Sequence, residues 1–201
     1  MKPFIRQFPC TAVLVAVTLV AGCGGQPVPG PTALNDSYEI ALELTREQAG
    51  RFGSGSVRER EMLDRLSAYF ADMTPESVAA ETRLVYADNA YLNDNITFVE
   101  GGEAIEVYFG AAAAQVSALT VEFIDVARSG SDYYIRWRMR ITSDRLNDGE
   151  AMESFGVSHF RFDREGRVLV HKDFWDAGTG LYEYLPGIGG LVGALRASLA
   201  H

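Results

Sequence analysis

The densest chemistry in this 201-residue chain lies in His171-Lys172-Asp173-Phe174-Trp175-Asp176. If that segment is a strand, its period of two sets His171, Asp173 and Trp175 on one face. A second histidine stands in Ser158-His159-Phe160-Arg161-Phe162-Asp163, and Asp94 sits between two asparagines at 93 and 95. An imidazole or a carboxylate aimed into an apolar hollow can move protons. The same groups also have plainer readings: Asp94 as the cap of a turn, His159 and His171 as surface or interface residues, and Asp173 as the partner of an amide or an arginine. The two histidines with Asp173 would make three metal ligands, but three His and two Cys in the whole chain leave little to build a metal centre from, and none is expected. Neither a Gly-x-Gly-x-x-Gly nor a P-loop fingerprint occurs, and Gly187-x-Gly189-Gly190 follows a proline rather than a strand, so no cofactor is expected. Trp137, Phe160 and Trp175 read as core or as the wall of a cavity.

The elements that must hold these residues are legible in outline. Ser56 with Glu59 fits a capping box, and Leu63, Leu66, Phe70 and Met73 follow at helical spacing. Thr74-Pro75-Glu76 starts a second helix that runs to about Val85. Two short extended pieces flank Asn93-Asp94-Asn95, and a third helix is expected from Glu103 to about Ala114. The period then changes to two. Strands are expected over Val116–Ala127, Tyr133–Ile141, Ala151–Asp163 and Arg167–Trp175, with Arg164-Glu165-Gly166 as a hairpin loop. Arg136, Arg138 and Arg140 form a basic stripe expected to pair with Glu122, Glu150 or Glu153 on neighbouring strands, or to line a dimer contact. Helices first and long strands second indicate an α+β domain.

The termini carry separate expectations. Residues 1–22 combine Lys2 and Arg6 with an apolar run from Ala12 to Val20, too short to span a bilayer, and read as a signal peptide. Leu19-Val20-Ala21-Gly22-Cys23 resembles a bacterial lipobox, which implies that Cys23 becomes the first mature residue and carries a lipid. The expected place is then the cell envelope, on the periplasmic side of the outer membrane if the organism has two membranes. Residues 23–55 read as a tether and a partly ordered arm, Gly- and Pro-rich over 24–35, and 179–201 as a C-terminal helical extension packed on the sheet. With 18 basic against 27 acidic residues the chain is a poor partner for nucleic acid.

Over about residues 57–178 the chain resembles a known superfamily. Tyr86-Ala87-Asp88-Asn89-Ala90, Asn93-Asp94 and Gly102-x-Ala104-Ile105-x-x-Tyr108-Phe109 are similar to the nuclear-transport-factor-2-like cone. Ser158 to Asp163 with Gly166-Arg167-Val168 is similar to the last hairpin of ketosteroid isomerases and SnoaL-like polyketide cyclases. The resemblance implies a curved antiparallel sheet wrapped around N-terminal helices, over residues 56–178. It places the isomerase base on Asp94. It also places Leu66 and Ser158 where the isomerases carry their two oxyanion donors, which argues against steroid isomerisation. The acid–base pair of the cyclases falls on His159 and Asp173.

One point of register decides which groups face inward. A hairpin that sets Asp163 opposite Arg167 without interruption would turn both histidines outward and Lys172 inward. A β-bulge in the last strand would instead turn Ser158, His171 and Asp173 inward, and it is favoured because Lys172 would otherwise point into an apolar cavity.

The expected function is a lipid-anchored, non-catalytic cavity protein that binds a small apolar molecule, with Tyr86, Trp137, Ser158, Phe160, His171 and Trp175 as its contacts. The alternatives are an acid–base enzyme using Asp94 or the His159/Asp173 pair, and a module that dimerises through its sheet face.

Overall fold

The computed structural model describes residues 29–200, so the expected signal peptide and Cys23 lie outside the described residues. Helix α1 (Pro31–Leu44) is followed by α2 (Val57–Ala71) and α3 (Pro75–Val85), then strands β1 (Tyr86–Asn93) and β2 (Phe98–Glu100). Helix α4 (Gly102–Ala113) leads into β3 (Ala118–Ser129), β4 (Asp132–Thr142), β5 (Met152–Phe162) and β6 (Val168–Trp175). A short helix α5 (Ala177–Gly180) and a last helix α6 (Gly189–Leu199) complete the chain. The six strands form one sheet in the order β2-β1-β6-β5-β4-β3. All neighbours are antiparallel except β1 and β6, which run parallel. The fold is the expected α+β cone with one parallel pair, because β1 runs straight out of α3 and joins the open edge of β6.

Local signals account for the helix starts. Ser56 Oγ accepts from the Glu59 amide at 3.2 Å. The Glu59 carboxylate, however, takes the Gly55 amide, Arg128 and Tyr133 rather than closing a reciprocal box. The reciprocal box is at α3, where Thr74 and Ser77 exchange side-chain and backbone bonds around Pro75. In the β5–β6 loop, Gly166 takes φ +84°, a conformation open to glycine, and Asp163 accepts from the amides of Glu165 and Arg167.

The core lies between α2–α4 and the inner face of the sheet. Leu66, Tyr69 and Phe70 of α2 and Ile105 of α4 are buried there against Tyr133, Ile135, Phe160 and Val168. On the outer face of β4, Arg140 pairs with Glu153 at 2.8 Å and Arg136 Nε with Asp125 at 2.9 Å, while Arg138 lies 3.7 Å from Glu122. The basic stripe is thus neutralised along the ladder, with Asp125 taking a place that the sequence suggested for Glu150.

Two segments differ from expectation. The stretch read as a tether through residue 35 is already helical at Pro31, because Gly30 and Pro31 fit the start of a helix. Helix α1 then lies across the outer face, where Ser37 bonds Tyr91 at 2.8 Å and Leu42 O accepts from Arg161 at 2.7 Å. At the other end, α6 buries none of its residues, and Leu191, Leu195 and Leu199 are exposed rather than packed on the sheet.

Candidate functional site

The register shift lies between Arg161 and Phe162. Phe162 pairs with Val168, but Arg161 pairs with Val170, Phe160 with His171 and Ser158 with Asp173, so Leu169 is the extra residue. From that bulge onward the facing of β6 is reversed. His171, Asp173 and Trp175 turn inward, and Lys172 turns outward, where its Nζ donates to Asn93 Oδ1 at 2.9 Å.

The inward groups line a cavity of about 220 Å³. Phe70 of α2, Met73 just beyond it, Tyr108, Phe109 and Ala112 of α4, and the inward side chains of β3–β6 wall it, and Leu181 after α5 adds a further apolar side chain. Asp94, Trp137, Ser158, Phe160, His171, Asp173 and Trp175 all border this one space.

Its polar groups form two connected sets. In the first, Trp137 Nε1 donates to Ser158 Oγ at 2.7 Å, and Ser158 Oγ donates to Asp173 Oδ1. His171 Nε2 lies 2.8 Å from the same Oδ1, and His171 Nδ1 lies 2.8 Å from the Tyr86 hydroxyl. Burial alone would push the Asp173 carboxyl up, but His171, Ser158 and Lys172 together hold it below the usual range. Asp173 is therefore an anion that can only accept, so the proton between it and His171 sits on Nε2. Burial pushes the Tyr86 phenol well up, so it keeps its hydrogen beside Nδ1. His171 is thus a ring held at both ends.

In the second set, Asp94 Oδ1 accepts from the amides of Ile96 and Thr97, both at 2.9 Å, and Oδ2 accepts from the Tyr108 hydroxyl. Trp175 Nε1 donates to Asp94 O at 2.8 Å. Asp94 therefore caps the turn between β1 and β2 and borders the cavity at once. Burial, followed by the charge of Asp94, pushes the Tyr108 phenol far up, so it stays a donor.

Two sequence-derived candidates sit elsewhere. His159 belongs to the outer face, one residue out of phase with Ser158 and Phe160, and is sealed beneath α1. Its Nδ1 is 2.6 Å from the Tyr38 hydroxyl, its ring stacks on Tyr134, and its Nε2 is 3.1 Å from Asp132 without hydrogen-bond alignment. The sheet separates it from Asp173, so the expected His159/Asp173 pair does not form; Asp173 pairs with His171 instead. Tyr86 stands behind His171 and off the cavity wall, so it orients that ring rather than touching a ligand. Conversely, Tyr108 was visible only as part of a fold motif. A tyrosine on the Ala104-Ile105-Ala112 face of a helix was the available signal, since apolar neighbours at that spacing mark a buried face.

Every side-chain donor on the wall has an acceptor: both indole N–H groups, the Tyr108 and Ser158 hydroxyls and His171 Nε2. What is left open is an acceptor. Asp173 Oδ2 receives no hydrogen bond among the described residues, in a cavity that is otherwise apolar.

Residues 60–171, more than half of the chain, match the SnoaL-like domain family. The chain belongs to that family. The match takes in α2–α4 and most of the sheet, and stops within β6, two residues short of Asp173. Among solved structures, the SnoaL-like domain is similar to an epoxide hydrolase of the LEH-like type from M. tuberculosis. Identity is 13%, the match covers 71% of this chain and 98% of that one, and the TM-score is 0.51. It is likewise similar to TsrD from Streptomyces laurentii at 14% identity, over 64% of this chain and 95% of that one, with a TM-score of 0.50. At such identities the likeness is one of fold. No curated protein matches.

Proposed function

We propose that this SnoaL-like domain binds a small, mostly apolar molecule whose hydrogen-bond donor is taken by Asp173. The observation that carries this reading is the imbalance of the cavity wall: every side-chain donor is already matched, while Asp173 Oδ2 is open. An apolar pocket with one oriented polar group is the common form of a small-molecule site. The same imbalance speaks against enolate chemistry, because Leu66 is buried in the core and Ser158 already donates to Asp173, so neither stabilises an oxyanion. Native mass spectrometry of gently purified protein tests the reading. A co-purifying small molecule is expected, and its loss from the Asp173→Asn protein. An empty cavity that no apolar donor compound stabilises against heat would overturn it.

A second reading is proton transfer, favoured by Asp94 and Asp173 bordering the same space. In it, Asp173 Oδ2 removes a proton from the bound molecule. Incubation of the co-purified compound in deuterated water decides between the two, since exchange or conversion that depends on Asp173 supports catalysis and an unchanged compound supports carriage.

In the same proposal, Cys23 carries a lipid that holds the domain at the cell envelope. The lipobox-like Leu19–Cys23 segment supports this. Its test is the mass of the N-terminal peptide, which should begin at Cys23 and carry acyl chains.

A further inference from the structure

From the charges of the cavity we infer that its ligand is a cation: a protonated amine on an apolar body. The inference rests on the ligand-binding reading and names the class of molecule. Two carboxylates, Asp94 and Asp173, border the space, and no Lys or Arg borders it among the described residues. The nearest ammonium, Lys172, faces the other side of the sheet and is held by Asn93 and Asn95. The one imidazole on the wall, His171, is engaged at both nitrogens by Asp173 and Tyr86, and one ring cannot offset two carboxylates.

The geometry rejects the other charge classes. A carboxylate or phosphate would enter a space with two anions and no open side-chain donor. A neutral hydrocarbon would fill it but leave Asp173 Oδ2 unpaired beside apolar surface, which costs free energy. An ammonium N–H meets that oxygen with a charge-assisted bond, and the wall includes Trp137, Tyr108 and Trp175, aromatic residues of the kind that attract alkylammonium groups.

Three probes of similar size separate the cases: N,N-dimethylbenzylammonium, isobutylbenzene and phenylacetate, each titrated into the purified full chain and followed by ligand-observed NMR at neutral pH. The cation should bind about tenfold or more tighter than its neutral isostere, the range typical of a hydrogen bond to a charged group, and the anion should not compete. Asp173→Asn should remove that advantage of the cation over isobutylbenzene. Equal or tighter binding of the neutral probe, or competition by phenylacetate, would overturn the cation while leaving the cavity reading intact. If none of the three binds, the cavity reading falls together with the inference. The comparison among probes uses the unaltered protein, so it stands even if the Asp173 variant fails to fold.

Discussion

Asp173 is useful because other residues fix its surroundings. Ser158 and His171 hold one oxygen and leave the other free, and Tyr86 holds His171 from behind. Tyr86→Phe leaves His171 Nδ1 buried without its partner, so a loss of about 1–3 kcal/mol in unfolding free energy is expected in chemical denaturation. Unchanged stability would mean that Tyr86 only fills space. On the outer face, Asp132 shows the same logic with a different outcome. Burial would raise its carboxyl, but His159 and Arg161 bring it down to about 2. A carboxyl depressed in the folded state contributes stability above its ordinary value, near 3.8, and that contribution fades as pH falls toward 2. Between pH 4 and 2 the parent chain should therefore lose more stability than Asp132→Asn, as thermal melts across that range can show.

At the scale of elements, β6 matters most. One extra residue at Leu169 lets Phe162–Val168 keep the hairpin register and still turns His171 and Asp173 inward. Deleting Leu169 should restore uninterrupted pairing and bring Lys172 to the inner face, with loss of ligand binding as the readout. Gly156 in β5 is a second such position. It faces Trp137 across the ladder, and a Cβ there would meet the indole at 2.3 Å. Gly156→Ala should push the indole toward the cavity and part it from Ser158, at about 1–3 kcal/mol in stability, measured by denaturant melts with tryptophan fluorescence. Helix α1 contributes from outside: Tyr38 covers His159, and Ser37 and Leu34 tie it to Tyr91 and Asn93.

For the whole molecule, the helices and the curved sheet leave an apolar space that Asp94, just after β1, and Trp175, at the end of β6, both border. Leu181 joins the wall, whereas α6 turns its leucines outward. The proposed anchor lies at the opposite end of the chain. Cys23→Ser should release the protein from the membrane fraction without changing its melting temperature, since α1, the first element among the described residues, begins at Pro31. Fractionation followed by immunoblotting checks this.

Local pattern in the chain was enough to determine the class of the fold and most of its elements. Helix caps, the alternation along Tyr133–Ile141 and the glycine of the last hairpin are written in neighbouring residues, because they act over one turn or one pleat. With the family resemblance it also named seven residues that border the cavity: Asp94, Trp137, Ser158, Phe160, His171, Asp173 and Trp175. Tertiary structure decided which of these groups meet. His159 and His171 look alike in sequence, yet one is sealed under Tyr38 and the other faces the cavity, because facing depends on the count of residues across a ladder and a single bulge changes it. The pairing of Asp94 with Tyr108, and the matching of every donor around Asp173 Oδ2, join residues from separate helices and strands. No local period encodes such meetings; only the closed sheet brings them about.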